Sequence, residues 1–298
     1  MKPADNKQAD AFGALIANCT CEQKEGLSAD EGEKIRLSWP ERLYNFPAAR
    51  KIAVFLLLIV CWEIYARVLN NALMFPAFTD TLQGLAEAFQ SGELPERIAV
   101  SMKVQLTGYL IGVLLAGILT LLAMSGKFGA DMLELLAAMF NPLPPIALLP
   151  LALLWFGLGY SGIVFVIVHA VTWPIALNIY NGFSGVSNTL RMVGHNYELK
   201  GLSFAFRILV PAAFPSILTG LKVGWAFSWR TLIASELVFG VSSGNGGLGW
   251  FIYEKKNQLD IHLVFAGLLA VILIGVLVEH CVFKPVEKHT VRRWGMKF

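Results

Sequence analysis

The chain has 298 residues, of which 56% are hydrophobic and only 15% are charged, and its mean hydropathy is +0.59. Soluble domains carry about 25% charged residues, so this composition excludes an ordinary water-soluble globular protein. The net charge of +3 is small and gives no indication of nucleic-acid binding. The apolar residues fall into blocks of about 18 to 25, the length needed to cross ~30 Å of hydrocarbon as a helix. We therefore predict an all-α integral membrane protein.

The N-terminal segment, residues 1–48, is polar and lacks helical periodicity, which predicts a largely disordered cytoplasmic tail. Its apolar run at 11–17 is short and is broken by Gly13, so we expect no cleavable signal peptide. Cys19 and Cys21 form an isolated C-x-C without a second pair. This spacing is a poor metal site, and we expect free thiols and no metal.

Six apolar blocks follow, and they predict six transmembrane helices in a membrane domain over residues 49–284. Their approximate ranges are 52–68, 106–124, 135–158, 163–183, 217–239 and 263–283. Between the first two blocks, apolar residues recur at helical spacing from Thr79 to Phe89, after Pro76. This spacing predicts a short amphipathic helix. Residues 285–298 are predicted to be a C-terminal tail.

The basic residues orient these helices, because cytoplasmic segments of membrane proteins are enriched in Lys and Arg. With the N-terminus inside, 18 of the 24 Lys and Arg residues fall on the cytoplasmic side. Five fall outside, and Arg230 lies within the fifth block. Both termini are therefore predicted to be cytoplasmic.

The third block contains NPLPPIALLP at 141–150, with prolines at 142, 144, 145 and 150. Each proline lacks a backbone donor and clashes with the preceding turn. A lipid-facing helix cannot leave backbone carbonyls unpaired. This span must therefore bend at a place where other helices or water can donate hydrogen bonds to the carbonyls that the prolines leave free. Two interpretations remain open: a kinked packing helix, or a segment that lines a translocation route.

Strongly polar residues within the blocks are few: Glu63, His169, Asn178, Arg230 and Glu236. Ionisable groups at membrane depth are costly and tend to face a bundle interior or a cavity. Arg230 and Glu236 are six residues apart on one helix, so we expect each to have a partner on another helix. An interhelical polar clamp and a role along a substrate path are both open. A lone histidine such as His169 is most often a packed core residue.

The segment between the fourth and fifth blocks, residues 187–211, is too polar to span and too long for a tight turn. Leu190, Val193 and Tyr197 would form one face of a short helix within it. Such a cytoplasmic loop is either a docking element for a soluble partner or a surface helix that packs only on the bundle.

From Gly201 to Glu236 the sequence resembles the permeases of ABC importers, specifically the nitrate/sulfonate/taurine/bicarbonate branch. That family carries an EAA loop: E-A-A, three residues, Gly, nine residues, then I-x-L-P. Anchored on Pro211, the downstream half matches in part, the Gly position falls on Glu198, and a glycine occurs instead at Gly201. The motifs NPLPPIALLPLALLWFG at 141–157, TGLKVGWAFSWRTLIASE at 219–236 and GGLGWFI at 246–252 also resemble the family. The resemblance covers roughly residues 50–296.

The resemblance implies the six-helix type I importer permease fold and the import of a small anion. It implies a second permease copy, membrane lipid, a cytoplasmic ATP-binding subunit that carries ATP and Mg²⁺, and an extracytoplasmic substrate-binding protein. This chain itself would bind no cofactor and carry no catalytic residue. The coupling-loop candidates are Leu190, Val193, Gly194, Tyr197, Glu198, Gly201 and Pro211. The translocation-path candidates are Pro142, Pro144, Pro145, His169, Trp229, Arg230 and Glu236. On this basis we expect Glu236→Ala to impair transport more than folding.

Two other classes of function were weighed. An ion-coupled secondary transporter or channel would need a relay of charges at midplane, and the spans offer few. An intramembrane enzyme would need clustered His and Glu, but no H-E-x-x-H occurs, and Glu279 and His280 are adjacent and point apart. No G-x-x-x-x-G-K-[ST] phosphate loop occurs either, so ATP chemistry would have to come from another chain.

Overall fold

The computed structural model describes residues 47–239 and 246–291, except for the side chains of Pro47 and Leu202. The predicted tail up to residue 46, with Cys19 and Cys21, lies outside this range, as does the end of the C-terminal tail. The described residues contain helices and no β-strand. Two compact units divide the chain, Met1–Val60 and Cys61–Phe298. The described part of the first unit is the N-terminal half of one apolar helix.

The helices are numbered here in chain order. They are α1 (Pro47–Leu69), α2 (Phe78–Gln90), α3 (Glu93–Met124), α4 (Lys127–Phe140), α5 (Leu149–Phe156), α6 (Tyr160–Ser184), α7 (Asn188–Asn196), α8 (Gly201–Phe204), α9 (Val210–Phe239), α10 (Leu248–Asn257), α11 (Ile261–Val278) and α12 (Lys284–His289). A 3₁₀ turn, Pro145–Leu148, precedes α5, and π-helical turns at Ala205–Leu209 and Glu279–Phe283 join α8 to α9 and α11 to α12. Five of the described helical segments are long and apolar enough to span a membrane, and α4 with α5 forms a bent sixth.

The core of the second unit forms where α6 packs between α3 and α9. Ile167, Val171 and Ile175 of α6 are fully buried. Glycines on both neighbours admit these branched side chains: a Cβ at Gly112 of α3 would lie 2.7 Å from Val171, and one at Gly224 of α9 would lie 2.7 Å from Ile175. Small residues at helix contacts let membrane helices approach closely, so that dispersion can hold them together.

Hydrogen bonds between the same helices add direction to this packing. The Gln105 side-chain amide of α3 donates to the Ser228 hydroxyl of α9 at 2.6 Å, and the Tyr109 hydroxyl donates to the Leu221 carbonyl at 2.9 Å. On the α6 side, the Tyr160 hydroxyl donates to Thr107 at 2.6 Å. These bonds fix the rotation of each helix about its axis.

The third span is broken, as its prolines predict. The axes of α4 and α5 meet at 86° across the break. Pro145 begins the 3₁₀ turn and Pro150 lies in the first turn of α5, where the missing N–H is not needed. Pro142 and Pro144 lie in the break itself. The span is thus two short helical pieces rather than one kinked helix over residues 135–158.

Other boundaries differ from the sequence prediction. The amphipathic helix is confirmed as α2, but α3 begins at Glu93, well before the apolar block at residue 106. The helix of the sixth block continues through a π turn to His289, into the segment that was predicted to be a tail. Helix α10 was not predicted, because its mixed sequence LGWFIYEKKN has no clear apolar stripe.

The glycine contacts yield a stability prediction. Gly112→Ala places a methyl group against Val171, and overpacking of this kind costs about 1–3 kcal/mol. Gly117→Ala on the same helix is the matched control, because a Cβ there meets nothing within 4 Å. Thermal unfolding in detergent should show a lower midpoint for Gly112→Ala and an unchanged or higher one for Gly117→Ala. Equal midpoints for the two variants would contradict the close packing of α3 on α6.

Candidate functional site

Helix α7 is a short helix held firmly against the end of α6. Its N-cap, Ser187, accepts a hydrogen bond from the Leu190 amide at 3.4 Å. The Arg191 guanidinium donates to the Phe183 carbonyl at 2.7 Å and to the Val186 carbonyl at 3.2 Å. The Phe183 carbonyl belongs to the C-terminal turn of α6, where acceptors would otherwise be free, and Val186 follows just after the helix ends. Arg191 therefore fixes α7 to the transmembrane helix that precedes it.

The buried side of α7 rests on the segment that leads into α9. Gly194 is buried, and a Cβ there would lie 2.5 Å from the Phe204 ring. The His195 imidazole stacks on the same ring with centroids 5.7 Å apart. Any displacement of α7 would therefore press on Phe204 and on the π turn that follows it.

A neighbouring side of α7 is apolar and exposed. Leu190, Val193 and Tyr197 are 43%, 41% and 76% exposed; Leu190 and Val193 lie within the helix and Tyr197 is its C-cap. An apolar face on a polar, anchored helix is typical of a helix that docks into a partner.

The chain leaves α7 through a Schellman motif centred on Glu198. The Leu199 amide donates to the Gly194 carbonyl at 3.0 Å, and the Glu198 amide donates to His195 at 2.9 Å. Glu198 adopts φ of +54°, the left-handed conformation that favours glycine. This is the position onto which the family's loop glycine falls when the motif is anchored on Pro211. Gly201, at φ +56°, begins α8, and Pro211 lies in the first turn of α9.

A second polar cluster lies at the other end of α9, around a buried carboxylate. Glu236 is 3% exposed. It accepts hydrogen bonds from the Ser101 hydroxyl of α3 at 2.7 Å and from the Gly249 amide at 2.7 Å. The Leu248 amide donates to the Ser101 oxygen at 2.7 Å. The carboxylate thus joins α3, α9 and the N-terminus of α10, where free amides and the helix dipole stabilise negative charge.

Ion pairs at the surface surround this junction. Arg97 of α3 donates to the Gly246 carbonyl and to Glu254 of α10, both at 3.0 Å. Lys255 of α10 pairs with Glu93 of α3 at 3.1 Å. Gly247 contacts the Glu236 carboxylate so closely that any side chain there would collide with it. Helix α10 is therefore fixed onto α3 and α9 by both backbone and side-chain bonds.

A cavity of about 290 Å³ lies beside the break in the third span. It is lined by Asn141, Leu143, Pro145, His169, Ala170, Trp173, Pro174, Leu177, Asn178, Val223 and Phe227. Both ring nitrogens of His169 and the indole nitrogen of Trp173 are buried without a hydrogen-bond partner among the described residues. The exposed Arg230 guanidinium lies 4.9 Å from the centroid of the Phe227 ring.

The structure divides the path candidates into two groups. Pro145 and His169 line the cavity, Pro142 and Pro144 lie in the adjoining break, and Arg230 adjoins Phe227. Trp229 and Glu236 are buried in helix contacts instead; the Trp229 indole donates to the Val271 carbonyl at 3.3 Å. Glu236 has the interhelical partner expected of it, in the form of a polar clamp. Arg230 contacts Ala226 and Phe227 of its own helix.

Sequence reasoning missed Ser101, Gly249 and Trp173. A serine eight residues into α3 and a glycine in a glycine-rich stretch carry no signal in one sequence, because their value lies in contacts with distant segments. Trp173 precedes Pro174 in the fourth apolar block. Its spacing of four from His169 was a usable signal, since residues at i and i+4 share a helix face.

A bundle of membrane-spanning helices with one broken span and an anchored helix that presents an apolar face defines a membrane transport component. Residues 108–282, more than half of the chain, match the family described as "Binding-protein-dependent transport system inner membrane component". The chain belongs to this family. It is an inner-membrane, multi-pass permease of the ABC importer class, with the type I permease fold.

Relatives of known naming agree with this assignment. The chain is 30% identical to a protein of Methanocaldococcus jannaschii named as an ABC transporter permease, over 83% of this chain and 93% of the relative. It is 28% identical to the nitrate import permease protein of Synechocystis sp., over 80% and 87%. It is 27% identical to the taurine transport system permease protein of Escherichia coli, over 82% and 89%.

The Schellman motif predicts that a substitution at Glu198 increases the local stability of this segment. Glu198→Gly removes the strain of a left-handed non-glycine residue, which is about 1 kcal/mol. Hydrogen–deuterium exchange of the 194–200 segment should slow by roughly fivefold, since about 1 kcal/mol is a factor of five. Glu198→Ala is the matched control, because alanine keeps the Cβ and the strain. Faster exchange in the glycine variant than in the alanine variant would contradict this account.

The buried carboxylate leads to a revised expectation for Glu236→Ala. The substitution leaves the Ser101 hydroxyl and the Gly249 amide without their acceptor, and each buried unpaired group costs about 1–3 kcal/mol. We now expect a loss of folding stability rather than a selective loss of transport, seen as a lower unfolding midpoint in detergent. Glu134→Ala, at an exposed position of α4, should leave the midpoint unchanged. A midpoint for Glu236→Ala equal to that of Glu134→Ala would refute the structural role.

Proposed function

We propose that this chain forms the membrane half of an importer for a small anion. A partner chain binds and hydrolyses ATP with Mg²⁺, a binding protein delivers the anion from outside, and a second copy of this permease completes the pathway. The substrates that the relatives' names give are nitrate and the sulfonate taurine. They support a substrate with an oxyanion group, a class in which we include bicarbonate, sulfonates and related organic acids. Both termini lie in the cytoplasm, as the basic residues indicate.

The observation that carries the proposal is the construction of α7. Its apolar residues Leu190, Val193 and Tyr197 are exposed, while Arg191 fixes the helix to α6 and Gly194 packs against Phe204. A helix attached in this way transmits force, because a partner that moves it must also move the ends of α6 and α9. We propose that the ATP-binding subunit binds this face.

The route for the substrate runs beside the broken third span. The 86° break replaces regular backbone hydrogen bonds with an irregular segment, and such segments are tolerated at membrane depth only where protein or a water-filled cavity satisfies them. The cavity with His169 lies at this break, and Arg230 adds positive charge on the same face of α9 as Val223 and Phe227. Nucleotide-driven rocking of the helical bundles would open this region to either side in turn.

The alternative of an ion-coupled secondary transporter is separated by an uptake experiment. The permease is reconstituted into vesicles with the ATP-binding subunit and binding protein that co-purify with it. Uptake of labelled taurine, ethanesulfonate, nitrate and bicarbonate is then measured with a protonophore present. At least one anion should accumulate only when ATP is supplied. Accumulation that disappears with the proton gradient while ATP remains would overturn the proposal, as would failure to take up any of the four anions.

Two single-residue variants test the role of α7 within the same experiment. Val193→Asp places a charge in the apolar face and should reduce both the co-purified ATP-binding subunit and ATP-driven uptake by tenfold or more, the effect of about 1.4 kcal/mol. Asn188→Asp adds the same charge in the first turn of the same helix, away from that face, and should change neither. Full co-purification with Val193→Asp would exclude this face as the docking surface.

A further inference from the structure

The cavity at the break holds two buried donors that the chain itself does not use. His169 and Trp173 lie one turn apart on α6, and both line the cavity. The indole N–H can only donate a hydrogen bond, and a neutral imidazole always carries one N–H donor. Neither side chain has a hydrogen-bond partner among the described residues. Buried donors are nearly always satisfied in folded proteins, so these two indicate an acceptor that occupies the cavity.

The charge around the cavity indicates that the acceptor is anionic. None of the residues that line it is acidic. Arg230 is exposed, follows the lining residue Phe227 by three positions, and its guanidinium lies over that ring. No carboxylate of the described part of the chain lies within ion-pair distance of Arg230. An arginine at membrane depth without an acidic partner is costly unless it faces water or an anion.

Apart from Asn141 and Asn178, the remaining walls of the cavity are apolar and aromatic. The Trp173 ring stacks on Phe140, with centroids 5.3 Å apart and planes 12° apart. Leu177, Val223 and Phe227 form part of this apolar lining. A volume of about 290 Å³ greatly exceeds that of a bare inorganic oxyanion, given that one water takes about 30 Å³. Such walls suit an alkyl group more than the hydration shell of nitrate.

We propose that this cavity is a substrate subsite for a small organic anion, a sulfonate or carboxylate with a short apolar tail. Trp173 and His169 donate hydrogen bonds to its oxygen atoms, and the aromatic walls enclose its tail. The proposal rests on the proposed function, of which it narrows the substrate class: inorganic nitrate and bicarbonate are the poorer ligands. The subsite lies within one copy of the chain, so binding can be measured without the partner subunits.

The test is titration calorimetry on the full-length permease in detergent. The probes are ethanesulfonate, propionate, nitrate and ethylammonium. Ethanesulfonate and propionate should bind, nitrate should bind at least tenfold more weakly, and ethylammonium should not bind. Trp173→Phe keeps an aromatic ring against Phe140 but removes the N–H, and should weaken ethanesulfonate binding about tenfold, as expected for a hydrogen bond to a charged group. His169→Ala should weaken it to a similar extent.

Trp155→Phe is the matched control, since Trp155 is 58% exposed and lies outside the cavity; its affinity should equal that of the unchanged protein. Equal binding of nitrate and ethanesulfonate would overturn the organic class. Undiminished binding by both Trp173→Phe and His169→Ala would overturn the subsite, and absence of any binding would mean that water alone fills the cavity.

The two proposals fail in different ways. Val193→Asp should reduce ATP-driven uptake tenfold or more yet bind ethanesulfonate normally, because no residue of α7 lines the cavity. ATP-driven uptake of an anion without binding by the isolated permease would contradict the proposed subsite but agree with the proposed importer function. Binding of ethanesulfonate without ATP-driven uptake of any anion would contradict the proposed importer function but agree with the proposed subsite.

Discussion

The close approach of α6 to α3 and α9 is the constraint on which the rest of this structure depends. In a membrane the hydrophobic effect does not hold helices together, so association requires tight contact and interhelical hydrogen bonds. Glycines on α3 and α9 supply the contact, because a Cβ at Gly112 or Gly224 would overlap a branched side chain of α6. Both candidate functional regions depend on α6. Its C-terminal turn holds α7 through Arg191, and its middle carries His169 and Trp173.

Polar groups within the bundle serve two opposite purposes. Around Glu236 every oxygen has a donor, supplied by the Ser101 hydroxyl and by the Gly249 amide of α10, and a fully satisfied buried group of this kind rigidifies its surroundings. At the break in the third span the donors of His169 and Trp173 remain unused. A satisfied cluster fixes helices in place, whereas an unsatisfied one at a cavity is suited to a ligand. The contrast separates the end of α9 around Glu236 from the part of α9 that lines the cavity.

The loop that contains α7 shows how a degenerate motif can keep its geometry. The family places a glycine where this chain has Glu198, yet Glu198 adopts the left-handed conformation that the glycine would favour. The Schellman hydrogen bonds from Glu198 and Leu199 compensate part of that strain. Residue identities alone therefore understate the match to the family's loop motif, because the backbone conformation is retained where the glycine is not. The apolar face of Leu190, Val193 and Tyr197 was predictable, since helical spacing is a local property.

By itself the sequence determined the membrane class, the spans, the amphipathic helix after Pro76 and the break at the prolines, because hydropathy, periodicity and proline geometry act over a few neighbouring residues. The sequence did not predict the partner of Glu236, because Ser101 lies 135 positions away and no local pattern indicates a contact between such distant residues. The same holds for α10, whose place depends on amides and ion pairs shared with α3. Only the tertiary structure decided which polar residues are satisfied and which face a cavity, since satisfaction is a property of three-dimensional neighbours.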